Sequence, residues 1–150
     1  MLVRRPQVKA SPSITLATTL TGVVAEVRAH LTVYSETGSA EELADRIGLR
    51  PDELWNKGDV GKRGRAHATT AVSYVSAVPN ASPADQLSRL LTRIKPLGDR
   101  LRAESAAGNA VRLKLAVFED SDNIMFTMPA ALLHEVGSLG IDLEFDVYDV

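Results

Sequence analysis

The sequence predicts an α+β domain in which a mostly antiparallel sheet is covered on one face by helices. Residues 26–35, 111–119 and 141–148 alternate apolar and polar side chains, the period of half-buried strands. A stretch opening at Ser82 instead spaces Leu87, Leu90, Leu91, Ile94, Leu97 and Leu101 along one helical face. At 150 residues with 45% hydrophobic content, the chain can enclose one core and is too short for two. A single domain is therefore expected over residues 21–150, with residues 1–20 as an N-terminal arm or edge strand.

In the first strand Val27, Ala29, Leu31 and Val33 share one side, and Arg28, His30, Thr32 and Tyr34 the other. A helix follows, because Ser39 stands three residues before Glu42 as a capping box, Leu43 and Ile47 share a face, and Gly48 supplies a left-handed stop. Pro51 blocks continuation. The next strand is expected within residues 67–78, rich in Thr, Val and Tyr, with its orientation open because both sides carry small or apolar groups. The long helix begins at Ser82 with Pro83 at its first position, and Pro96 should kink or break it. After Gly108, Val111, Leu113, Leu115 and Val117 turn inward, leaving Arg112, Lys114, Ala116 and Phe118 outward. Asp120-Ser121-Asp122-Asn123 marks a turn, residues 124–127 a short strand, and Pro129 the start of a helix carrying Leu132, Leu133, Val136 and Leu139 and closed by Gly140. Last, Ile141, Leu143, Phe145 and Val147 alternate with Asp142, Glu144, Asp146 and Tyr148.

Residues 27–34 echo residues 111–118, sharing Val, Arg, Leu, Val and a terminal aromatic, and each copy precedes a helix and another strand. Two β-α-β units joined by the long helix would make a ferredoxin-like sandwich. Duplication and chance both account for the echo, since short alternating strands draw on few residue types.

A net charge of −2 and an isoelectric point near 5.9 provide no global field toward DNA or anionic lipid. The absence of cysteine removes disulfides, iron–sulfur clusters and thiolate zinc sites and fits a reducing compartment. Residues 1–12 lack the apolar core of a signal peptide, and no run reaches membrane-spanning length. The expectation is a soluble, cytoplasmic protein with no membrane partner.

Two surfaces carry candidate chemistry. The glycine-rich segment 57–65 holds Lys57, Lys62, Arg63 and Arg65, an arrangement that could turn backbone N–H groups and guanidinium forks toward an anion. It does not end in the Gly-Lys-Ser/Thr of a phosphate-binding Walker loop, and a solvated connector explains it as well. Trp55 beside it reads as an anchor pinning the loop to the core. The second surface is the outward sheet face, where Tyr34, Phe118 and Tyr148 are expected at equivalent strand ends beside Arg28, His30, Arg112 and Lys114. Basic residues among aromatics suit single-stranded RNA, but Asp142, Glu144 and Asp146 on the same face repel phosphates and disfavour nucleic acid. Cross-strand ion pairs and a protein interface, or cover by the N-terminal arm, fit better.

No catalytic constellation is expected. His134-Glu135 lacks the second zinc-protease histidine, since Ser138 stands four positions on. His30, His67 and His134 fall on different elements without metal-ligand spacing. The Asp142, Glu144, Asp146 ladder reads as the wet side of a strand rather than a cation site. Neither a nucleophile elbow nor a dinucleotide fingerprint is present, and no cofactor or metal is implied.

Gly48-Leu49-Arg50-Pro51, Trp55-Asn56-Lys57-Gly58-Asp59, the leucine-rich helix and the closing Leu139-Gly140-Ile141-Asp142-Leu143-Glu144-Phe145-Asp146-Val147-Tyr148 together resemble the bacterial domain-of-unknown-function family 4279, from about residue 26 to the end. The family's usual second tryptophan is replaced here, with Val72 standing at its place, which argues against a pocket lined by tryptophans. The resemblance implies a fold and no activity. The functional expectation is a small non-catalytic binding domain meeting a protein partner or a second copy through the outward face with Tyr34, Phe118 and Tyr148, or through the Trp55 loop, with an accessory or immunity-type role by analogy. The rival is an anion- or nucleotide-binding domain, with or without catalysis, built on Lys57, Lys62, Arg63 and Arg65.

Overall fold

A computed structural model describes residues 24–119 and 125–149. The expected N-terminal arm and the turn at Asp120 to Asn123 lie outside the described residues.

The leading alternating segment forms β1 (Val24–Ser35), and the capping box starts α1 (Ala40–Ile47). The Ser39 hydroxyl accepts from the Glu42 backbone N–H, the Glu42 carboxylate accepts from that of Ser39, and Gly48 closes the helix at φ 82°. A Cβ at Gly48 would run into the guanidinium of Arg100, which donates to the Ile47 carbonyl, so glycine is needed for space as well as for backbone sign.

Two strands follow, the short β2 (Glu53–Trp55) and β3 (Thr70–Ser76). Ser82 caps α2 (Pro83–Ile94), and Pro96 turns the chain through a short 3-10 segment (Lys95–Leu97) into α3 (Gly98–Ala106). β4 (Ala110–Glu119), α4 (Ala130–Ser138) and β5 (Leu143–Asp149) complete the chain. Of the short strand expected over 124–127, residues 125–127 are irregular and Ile124 lies outside the described residues.

The strands form one sheet in the order β2-β3-β1-β4-β5. β1 pairs antiparallel with β3 and with β4, β2 pairs antiparallel with β3, and β5 runs parallel to β4. The sheet is thus mixed, mostly antiparallel. α1 connects β1 to β2 with β3 lying between them, whereas α4 connects β4 to an adjacent β5, so the two expected β-α-β units are built differently.

The core lies between the sheet and the helices. Val27, Ala29, Leu31 and Val33 from β1, Val72 and Tyr74 from β3, and Leu113, Leu115 and Val117 from β4 meet Leu43 and Ile47 of α1 and Leu87, Leu90, Leu91, Ile94 and Leu101 of the kinked helix. Each of these leucines contributes about 2 kcal/mol by leaving water. Leu132, Val136 and Leu139 are buried as expected, but Leu133 is 46% exposed because it points off the inner face of α4.

Two buried polar residues tie the layers together. Gln86, 1% exposed, donates to the carbonyls of Val27 and Val78 and accepts from the Ser76 hydroxyl and the Val78 N–H, fastening α2 to β1 and to the end of β3. Glu104 joins α3 to α1 through Arg46 at 2.8 Å and also accepts from Asn109. Arg46 is the main reason its carboxyl titrates below the usual range.

Candidate functional site

Among the described residues, no helix covers the side of the sheet facing away from the core. The alternation that buries Val27 to Val33 necessarily turns Arg28, His30, Thr32 and Tyr34 outward, and Arg112, Lys114, Ala116 and Phe118 follow on β4. On β3 the choice left open by the sequence resolves with Val72 and Tyr74 in the core, so Ala71 and Ser73 face out. β2 adds Glu53 and Trp55, and β5 adds Glu144, Asp146 and Tyr148. All of these outward residues except Ala71, Glu144 and Asp146 line an open trough of about 290 Å³.

Its floor is made of short side chains. Thr32, Ser73 and Ala116 are buried among longer neighbours, and the Thr32 and Ser73 hydroxyls bond each other at 3.0 Å. The walls are aromatic, but not as the sequence suggested. Tyr34 and Phe118 do not stand in one row, because β1 and β4 are antiparallel neighbours and equivalent positions fall at opposite ends. At one end Tyr34 meets Trp55 edge-on at 6.5 Å, and Trp55 stacks on His67 at 4.7 Å. At the other, Phe118 stacks on Tyr148 at 4.8 Å.

The echo between the strands has a geometric result. It matches His30 with Lys114, and the ladder places these two residues opposite one another. The face therefore has a local two-fold character about that pair, with the Arg112 guanidinium over Tyr34 and that of Arg28 over Phe118, each 5.8 Å from the ring centre. Neighbours already occupy these ring faces, so the aromatics act as walls and leave bases little platform.

The charges are largely matched. Lys114 with Asp146 at 3.2 Å and Arg112 with Glu144 at 3.9 Å are the cross-strand pairs the sequence favoured, while Arg28 pairs with Glu26 of its own strand at 2.7 Å. Desolvation is the largest single influence on the Lys114 ammonium and lowers its pKa, but the hydrogen bond and charge of Asp146, with Tyr148 and Tyr34, together outweigh it and raise the pKa. Tyr148 also donates to Asp146, which raises the phenol and lowers the carboxyl. His30 sits half-buried at the centre, its pKa lowered first by desolvation and then by Arg28 and Lys114, against an opposing pull from Glu53. Asp142, expected on the same strand, precedes β5 and lies outside the ladder.

The basic segment forms a hairpin leaving β2. Val60 and Ala66 bridge, Gly58 donates to His67, His67 to Asp59, and Gly61 to Arg65. The N–H groups of Gly58, Gly61 and Gly64 are thus committed within the hairpin, and the side chains of Lys57, Lys62, Arg63 and Arg65 are exposed. Trp55, which stacks on His67 at the hairpin's base, also lines the trough, so the hairpin springs from the trough's wall. No group of His, Asp and Glu among the described residues is arranged to hold a metal, and none of their helices is long and apolar enough to cross a membrane.

A family model, Domain of unknown function (DUF4279), matches residues 25–150. The chain belongs to the DUF4279 family. The match spans all five strands of this DUF4279 domain apart from the first residue of β1, and so includes every wall of the trough. Val72 of this DUF4279 domain is fully buried and faces the core, away from the trough. No curated protein and no solved structure matches the chain.

Sequence reasoning missed β2 and the union of the two candidate surfaces. A strand of three residues carries no readable period, and the union depends on the hairpin's base, where Trp55 stacks on His67.

Proposed function

We propose that this DUF4279 domain is a binding module that meets a partner protein through the outward face of its sheet. The observation carrying this reading is the trough: a short-residue floor, aromatic walls at both ends and polar groups converging between them, on the side of the sheet that no described helix covers. Interface hot spots are built from aromatic and arginine side chains around a pocket, and Tyr34, Trp55, Phe118, Tyr148, Arg28 and Arg112 provide that set. We infer also that the leading four strands follow a ferredoxin-like plan. Supporting it, β3 separates β1 from β2, and β1 separates β3 from β4, all as antiparallel neighbours.

The test compares Tyr34→Ala and Tyr148→Asp with Arg89→Glu, which alters an exposed residue of α2 on the helix side. The two face variants should lose partner capture in pull-down, or self-association in sizing if the partner is a second copy, while Arg89→Glu keeps it and unfolding midpoints stay within a few degrees. Profiles unchanged by the face variants overturn the reading. The rival anion-binding loop is favoured by its exposed cations, while the glycine N–H groups it would need at Gly58, Gly61 and Gly64 already bond within the hairpin.

A further inference from the structure

The hairpin and the trough divide the work of recognition. On the sheet, Arg28, Arg112 and Lys114 each have a carboxylate within ion-pair distance. The hairpin is different. Lys57 meets Glu36 at 3.8 Å, but Lys62, Arg63 and Arg65 are exposed and form no ion pair among the described residues. The surplus positive charge of the site is therefore concentrated at the hairpin tip. The stack of Trp55 on His67 braces the hairpin's base, and because Trp55 also lines the trough, the hairpin rises directly from the trough's wall.

We propose that the occupant is an acidic protein segment carrying one aromatic or large apolar side chain, which fills the trough while flanking carboxylates answer Lys62, Arg63 and Arg65. This rests on the outward face being the binding face. Three arguments select that chemistry. A volume of about 290 Å³ lies just below the range of small-molecule sites and suits a single anchoring side chain. The exposed Lys62, Arg63 and Arg65 outnumber Glu53, the one carboxylate lining the trough, so the site draws in acidic partners and repels basic ones. Nucleic acid finds Phe118 stacked on Tyr148 and a guanidinium over Tyr34, so bases are poorly received.

Trp55, the only tryptophan, lines the trough and reports its filling. The experiment titrates the whole chain with a short glutamate-rich peptide bearing one central phenylalanine, with its alanine counterpart, and with a lysine-rich peptide bearing the same phenylalanine. Trp55 emission and the backbone amide shifts of β1 and β4 are read together. The expected result is saturable binding of the first peptide, at least ten-fold weaker binding of the second, none of the third, and weakening as salt rises. Arg63→Glu/Arg65→Glu, on exposed side chains, should weaken the first peptide at least ten-fold with an unchanged unfolding midpoint. Preference for the lysine-rich peptide, or full affinity in the charge-reversed variant, overturns the acidic partner but leaves the face in place. Silence of Trp55 and of the β1 and β4 amides toward every peptide, together with unchanged capture by the Tyr34 and Tyr148 variants, overturns both.

Discussion

Trp55 lies parallel to His67, ring centres 4.7 Å apart and planes 23° from one another, so the first and last residues around the hairpin hold each other. Removing the imidazole with His67→Ala frees one face of the indole. Emission from this single tryptophan should shift to the red, and the domain should lose about 1 kcal/mol, the scale of an aromatic pair. Equilibrium denaturation followed by fluorescence checks both, and a variant with unaltered emission and midpoint would show that the stack does not brace the hairpin.

Gln86→Leu removes both ends of a buried clasp at once. The carbonyls of Val27 and Val78, the Val78 N–H and the Ser76 hydroxyl all lose a partner in the core. With each stranded group costing about 1 kcal/mol or more, a total loss of about 3 kcal/mol is expected in urea or thermal unfolding. Asp85→Asn, one position away on the exposed side of α2, serves as the control and should cost less, even though it alters charge in the first helical turn.

Glu104 makes folding sensitive to acid. Its folded carboxyl titrates below the ordinary 4.5 chiefly because Arg46 donates to it. The stabilisation is complete above the unfolded value and disappears as pH falls through the lower folded one. Glu104→Gln should therefore flatten the fall of the melting temperature with pH below 4.5, with little further change near neutrality in that pH dependence. Parallel melting curves for both proteins on the acid side would contradict the assignment.

His30 acts in the same direction at milder pH. Burial lowers its folded pKa beneath the ordinary 6.5, so between those two values the unfolded chain binds a proton that the folded chain refuses. Stability associated with His30 is present above 6.5 and is lost as pH falls toward the folded value. An NMR titration of the imidazole should give a midpoint under 6.5, and His30→Asn should remove that component of the pH dependence. A midpoint at or above 6.5 would mean the ring is better solvated than its place in the trough implies.

Much of this architecture was legible because period, caps and proline are local signals. Val27 to Val33 and Leu113 to Val117 announced their buried side, Ser39 and Gly48 the limits of α1, and Pro96 the bend after α2. Direction was not legible. Alternation states which side of a sheet a residue occupies but not which way its strand runs, so Tyr34 and Phe118 fell at opposite ends and β5 joined β4 in parallel. Gln86 looked like an ordinary helical polar residue, because its four partners come together only when α2 docks on the end of β3. Likewise, segment 57–65 and the sheet face read as two candidates, since nothing in a linear pattern reveals that Trp55 at the hairpin's base also walls the trough.

The pairing of His30 with Lys114 at the midpoint of two like strands makes the outward sheet face, the binding face we propose, almost palindromic. An extended guest could enter in either sense and find an arginine-capped ring at each end. Polarity must then come from what breaks the palindrome: Trp55 and His67 beside Tyr34, against Tyr148 beside Phe118. Protonating His30 would bring the centre nearer to symmetry in charge, so an acidic compartment would blur the reading direction that a neutral one keeps distinct.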